Sequence, residues 1–541
     1  MAVITPNTDI YVLKVPLEIN DDNQLTFANA TAQYNWFNSQ SKLVFSNYTY
    51  QRKDSTITVA YPIDDLYQFN YVMYRNTNYS NKWFYAYITG YQMESNGTTT
   101  LSIKTDVYQT WMFELQVRQS FVEREHVSND TPGLHTIPEN LETGDYIIDS
   151  NTKISLTNPS TGNFYACFLL SKKPFNDAPM TYATWNIGGI FSGLFCVAVP
   201  VGFAKNMIEL YNLSSDVTAD AIVNIYMIPV ECVDTTHSMN WSPTSGTTFN
   251  VYQVREDVVT TNTATIVEHP GFKNNYIPKN KKLLCYPYKY FHITNNAGTD
   301  IDYRWEDFPL NGSGNHQADI SVKCIPSCGA SSKLEFSNYK DYDSTASGHN
   351  LMMAYGISGA KLPTCAWTTD YYTNWLTQNG VNIATNVGLG IAGAAIGVAT
   401  GGVGLVAAGI STASTVASAV GQTHRAETTP PQAHGDVSQG DISFARQQSA
   451  FNAYGMSIRN EYAYVIDKYF SMYGYKVNTV KIPNITGRTN WNYVKTVGCY
   501  LAGDIPQEDL AELKSMFDKG ITFWHNPSTF CDYSQSNAIV S

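Results

Sequence analysis

The chain lacks ionised side chains where length would lead one to expect several. From Tyr371 to His424 there is no Asp, Glu, Lys or Arg. Cysteine is sparse as well: nine residues, an odd number, scattered far apart. That pattern excludes the disulfide framework of a small secreted domain and fits folding in a reducing cytosol. The start, Met1 to Pro6, has no basic region followed by an apolar stretch, so no secretory signal is expected. There is no HExxH, Walker A loop, GxSxG elbow or dinucleotide fingerprint. The common motif-bearing catalysts drop out, although dispersed carboxylates like those of a wall-degrading glycosidase leave no such trace. Basic charge is also short. A net charge of -12 and a pI near 5.3 disfavour tight phosphate binding, which draws on clustered Lys and Arg.

What is present is aromatic and β-prone. With 541 residues the chain exceeds one hydrophobic core, so several domains are expected. Its 38 Tyr, 24 Phe and 43% apolar content suit strand-rich globular structure. The fold class expected is mainly β with a minor α part, multidomain, with barrel- or sandwich-like domains. In the N-terminal third Ile57, Val59 and Tyr61 alternate with small polar residues. A hairpin is expected with its turn at Asn96-Gly97, entered through Tyr87, Thr89, Tyr91 and Met93 and left through Leu101, Ile103 and Val107. Strand-like runs follow at Phe164 to Leu170 and Ala221 to Ile228, without the period of a solenoid or propeller. Near the end, Tyr454, Ile458, Tyr462, Val465 and Tyr469 recur every three or four residues, predicting an amphipathic helix from Phe451 to Gly474. A strand from Tyr475 to Ile482 and a helix from Pro506 to Phe517, with Leu510, Leu513 and Phe517 on one side and Gly520 beyond, complete the expectation. These signals divide the chain into 1–144, an N-terminal β-domain; 145–345, one or more middle β-domains; 346–450, a helical lead-in, an apolar loop over about 380–424 and a polar linker; and 451–541, a C-terminal domain.

The apolar run is the most informative stretch. Val387 to Val420, about 34 residues of mostly Gly, Ala, Val, Ile and Leu, is longer than a buried core helix needs and long enough to cross a bilayer core of about 30 Å. It suits two helices broken at Gly401-Gly402. Gly393, Gly397 and Gly401, four apart, share one helical face, as in closely packed helices in lipid. The side chains that would meet lipid are Val387, Leu389, Ile391, Ile396, Val398, Val403, Leu405, Val406, Ile410, Val416 and Val420. Because Ala and Gly dominate, the run is only weakly hydrophobic. It can stay hidden in a soluble particle and enter lipid later, several copies acting together. The competing readings are a helical hairpin sealed permanently in a subunit interface and an ordinary membrane anchor. The anchor is disfavoured because Lys and Arg do not cluster at the flanks; Arg425 stands alone.

Two clusters carry side chains of catalytic or metal-binding type. Glu123-Arg-Glu-His126 offers two carboxylates and an imidazole, but strand alternation would set Glu123 and Glu125 on a solvated face and His126 on the other. Cys324 and Cys328 have the spacing of half a zinc site, yet no second Cys or His pair follows and His316 is a poor substitute. Neither a catalytic residue nor a metal or cofactor is therefore assigned.

Longer strings carry a resemblance. QYNWFNSQSKLVF from Gln33, NKWFYAYIT from Asn81 and DVYQTWMFELQVRQSFVEREHV from Asp106 resemble the N-terminal tube domain of tail knob proteins of small podophages infecting Gram-positive bacteria. KYFSMYGYKVNTVKIPN from Lys468, NYVKT from Asn492 and the stretch from GDIPQEDL to GITFWH, ending at His525, resemble that family's C-terminal tube domain. The resemblance implies a virion protein made in the host cytoplasm. It implies a homohexameric tube joined to the upper collar or connector and to the tail tip, conducting double-stranded DNA without sequence-specific grip. It also implies that the apolar loops plug the lumen, then insert into the host cytoplasmic membrane as a channel, with the cell wall a further contact. From another class stand a receptor-binding or hub protein whose apolar run only seals interfaces, and a cell-wall hydrolase.

Overall fold

A computed structural model describes residues 7–19, 22–48, 55–77, 81–160, 163–171, 186–187, 190–191, 195–213, 221–241, 248–326, 331–341, 356–360, 362, 367–369, 432–434 and 450–540. The chain is mainly β, with shorter helices, and divides into two compact units. The first contains Met1–Tyr146, Gly271–Tyr288 and Ile458–Ser541; the second contains Ile147–Pro270 and Lys289–Ser457.

The first unit holds two large sheets. In the six-stranded one, antiparallel throughout, Lys42–Tyr48, Thr8–Leu13, Tyr71–Asn76, Trp83–Ser95, Thr98–Thr105 and Thr56–Val59 lie side by side in that order. Ile57 and Val59 point inward between exposed Thr56 and Thr58, as their alternation predicts. The hairpin closes at Asn96-Gly97, with Ser95 opposite Thr98. Val107 does not continue it. Asp106 caps a short helix, Val107–Trp111, by accepting from the Gln109 N–H at 3.0 Å, so the chain leaves the sheet there.

The other large sheet joins chain segments far apart in sequence. Asn23–Leu25 pairs in parallel with Ile521–Trp524, followed by Trp491–Val497, Ser120–Glu125 and Tyr475–Lys481. Trp491 and Trp524 are fully buried, ring centroids 5.1 Å apart, in a cluster with Leu13, Leu25, Phe37 and Tyr71. Truncating either indole would cost about 3–5 kcal/mol, so this cluster is a main fastening between the two ends of the chain. The helix Gln507–Lys519 buries Leu513 and Phe517 against Val107, Tyr108 and Trp111, and Gly520 ends it.

The predicted helix from Phe451 begins later. Ala450–Ile458 is a strand, antiparallel to Lys289–Thr294, with Phe451, Ala453 and Ser457 buried at alternate positions. The helix occupies Asn460–Tyr473 and turns Ala463, Ile466, Asp467 and Phe470 inward, leaving Tyr462 and Val465 exposed. Tyr454 and Ile458 fit either period; pairing across the sheet decided in favour of the strand. Tyr475–Lys481 is a strand, close to expectation.

The second unit is built of β-sheets with one large buried cluster, around Phe291 and Trp305, and a smaller one, around Phe168 and Val197. A five-stranded sheet orders Ile222–Pro229, Phe164–Leu170, Phe195–Pro200, Phe249–Val254 and Val233–Trp241. A four-stranded sheet orders Val259–Val267, Gln317–Ile325, Ser331–Phe336 and Gly356–Ser358. Another four-stranded sheet holds Tyr146–Ser155, Ala450–Ile458, Lys289–Thr294 and Asp300–Tyr303. Cys324 is a core residue beside Cys232, whose thiol is pushed up by its hydrogen bond with Cys324 and by burial. His316 is buried, Nδ1 2.7 Å from the Phe308 carbonyl oxygen, and Cys328 lies outside the described residues. Within the predicted polar linker, Gln432–His434 pairs with Trp367–Thr369.

Candidate functional site

The residues assigned to lipid contact and helix packing, Val387 to Val420, lie outside the described residues. What the structure does bring together is the Glu123–His126 cluster, and it corrects the surface reading. Arg124, Glu125 and His126 are all buried. The strand Ser120–Glu125 runs between Tyr475–Lys481 and Trp491–Val497, and both ladders slip register near its end. That irregularity breaks strict alternation, so neighbours Arg124 and Glu125 both turn away from water.

Each buried charge has partners drawn from remote sequence. Glu125 pairs with the Lys481 ammonium and accepts from the Asn484 N–H at 2.9 Å. Arg124 donates to the Gly474 carbonyl at 2.7 Å and to Glu139, with its guanidinium 4.9 Å from the Tyr469 ring centroid. Glu139 also takes Lys282 and the Lys476 N–H. Burial pushes the Lys282 ammonium down, and Glu139 opposes that shift. Breaking such a buried pair by removing one partner costs about 3–5 kcal/mol, because the other charge stays desolvated.

His126 is held as a neutral imidazole. Its Nδ1 accepts from the Tyr493 N–H at 2.7 Å, which places the ring proton on Nε2, 3.1 Å from the Ser471 carbonyl oxygen. Burial, with Arg488 and Arg124 nearby, lowers its pKa to about 3. Asp130 accepts from Tyr475 at 2.7 Å, and Asp467 accepts from Tyr276 and from the Asn280 N–H. The Trp111 indole N–H donates to Asp509 at 2.7 Å. At the parallel strand, Thr26 and Asn492 flank the His525 ring at 2.8 and 3.0 Å.

These groups tie 120–146 and 271–288 to the C-terminal segment. Their carboxylates are engaged by fixed donors, as structural ion pairs are, and not poised beside a nucleophile. Among the described residues no group of three or more His, Cys, Asp or Glu could hold a metal ion. No described helix is long and apolar enough to cross a membrane.

Comparison with known proteins gives the arrangement a context. Residues 250–538, over half of the chain, match the family described as Bacillus phage phi29 tail knob protein gp9, C-terminal domain. Residues 7–116 match the caudoviral major tail protein N-terminus. The chain is 28% identical to tail knob protein gp9 of Bacillus phage B103 and 27% identical to that of Bacillus phage phi29, with 98% of each chain covered in both cases. The tail knob protein gp12 of bacteriophage C1 shares the fold at a TM-score of 0.64 and 14% identity, over 98% of this chain and all of that one.

Proposed function

Because the chain belongs to the phage tail knob protein family typified by gp9 of phi29, and is thus a structural component of a virion tail that associates with other tail proteins, we propose that it forms the distal tube through which the genome leaves. In this reading 1–144 and 451–541 build the tube wall, 145–345 widens it into a knob, and six copies close the ring. Double-stranded DNA passes through without being gripped, in keeping with the net charge of -12. The apolar loop, Val387 to Val420, plugs the lumen and then enters the host cytoplasmic membrane.

The observation that carries the membrane step is the absence of any ionised side chain from Tyr371 to His424. Packed together, several such loops hide surface that would otherwise aggregate. Beside lipid, backbone groups are satisfied only in helices or a closed barrel, so release should make the loops helical. Supporting the wall assignment is the first unit, in which the two chain ends share one sheet and one core.

Dye-filled liposomes test the step. Full-length protein, at neutral or mildly acidic pH, should release dye, and the variant lacking Val387 to Val420 should not. If full-length protein leaves vesicles intact under all these conditions, the membrane step is wrong while the tail role stands.

A further inference from the structure

The second unit buries a lysine beside two carboxylates. Lys289 opens the strand Lys289–Thr294, fully buried on the same face as Phe291 and Ile293. Glu268, also buried, has a carboxylate oxygen 3.9 Å from the Lys289 ammonium, which donates to the His269 carbonyl oxygen. In this sheet the strand Ala450–Ile458 lies between Lys289–Thr294 and Tyr146–Ser155. Ser457 stands opposite Lys289, and Gly455, with no side chain, lies against Ser150. A long side chain can pass over two such small residues to the strand beyond. Asp149, the neighbour of Ser150, is on that strand, and its charge acts on the Lys289 ammonium. Both Asp149 carboxylate oxygens are buried without a hydrogen-bond partner among the described residues.

This combination differs from the buried ion pairs of the first unit. Glu125 and Glu139 are each gripped by several fixed donors. No such donor engages Asp149, so an oxygen can leave its carboxyl group without breaking a hydrogen bond. Burial lowers the Lys289 pKa, with Glu268 and Asp149 opposing the shift. A desolvated lysine that gives up its proton is a nucleophile.

We infer that Lys289 and Asp149 join in an intramolecular amide bond, with Glu268 as the proton carrier. One proton passes from the ammonium to the Asp149 carboxylate, leaving a neutral amine and a carboxylic acid. Nζ of the amine attacks Cγ of the acid and forms the new bond. Glu268 takes a proton from that nitrogen and delivers it to the departing hydroxyl, so a Cγ–O bond breaks and one water leaves. No electrons are exchanged and no cofactor enters. In place of three buried charges the product leaves one, Glu268, beside an amide N–H that can donate to it; uncompensated burial of charge is thereby reduced. The bond falls where the chain passes from the first unit into the second, after Tyr146 and after Tyr288. Tension along either passage meets a covalent link rather than a ladder of hydrogen bonds.

Mass spectrometry of the denatured full chain tests the bond. The parent should be lighter than its sequence by one water, and proteolysis should yield a branched peptide joining Asp149 to Lys289. Lys289→Met and Asp149→Ala should each restore the sequence mass. Glu268→Gln keeps both reacting groups and should leave most copies at the sequence mass while retaining the parent's circular dichroism. The parent's mass decides the matter whether or not the variants fold. A parent at its full sequence mass overturns the inference. So does a branched peptide joining Lys289 to Glu268 or to any other residue, or a loss of water that persists in Lys289→Met. None of these outcomes touches the tail role.

Discussion

His126 shows how one side chain makes stability depend on acidity. Folded, it stays neutral down to about pH 3; unfolded, it takes a proton near pH 6.5. The unfolded chain therefore binds more protons between those values, and stability is lost as pH falls from 6.5 toward 3, by up to about 1.4 kcal/mol per pH unit. His525, lowered by burial, acts in the same direction. Gln can accept from Tyr493 and donate to Ser471 without titrating. Chemical denaturation of His126→Gln across pH 7 to 4 should accordingly give a flatter profile than the parent; equal slopes would exclude the role.

Among elements, the end of the helix Asn460–Tyr473 is closely packed against backbone. Gly474 has φ of 64°, its N–H closes the helix onto the Phe470 carbonyl at 2.8 Å, and an added Cβ would run into the backbone of Glu125 and His126. Gly474→Ala should destabilise by about 2–4 kcal/mol, from backbone conformation plus a forced shift of the neighbouring strand. Gly498 also has positive φ but faces open space, so Gly498→Ala should cost only about 1 kcal/mol. Thermal melts of the pair separate crowding from conformation. The strands and the Asn96-Gly97 hairpin were legible because their signals are local alternation and turn chemistry. The Glu123–His126 cluster was not. Its burial comes from slipped register, and its partner Lys481 lies 356 residues beyond Glu125, where no local pattern points to it. No change of composition marks 271–288 as part of the first unit either, since Asp467 binds it through individual hydrogen bonds.

At the scale of the molecule, the first unit is built from three separated stretches of chain. Deleting 458–541 removes both strands that flank Ser120–Glu125 and the two buried indoles. The remaining chain should be insoluble, whereas deletion of Val387 to Val420 should shift the melting midpoint by only a few degrees; soluble, helically ordered 1–457 would contradict the shared core. The same arrangement imposes an order on biosynthesis. Ser120–Glu125 emerges early from the ribosome but finds its neighbours only after residue 497 has followed, so the nascent polypeptide waits unfinished through most of translation. A prematurely terminated product never completes that sheet.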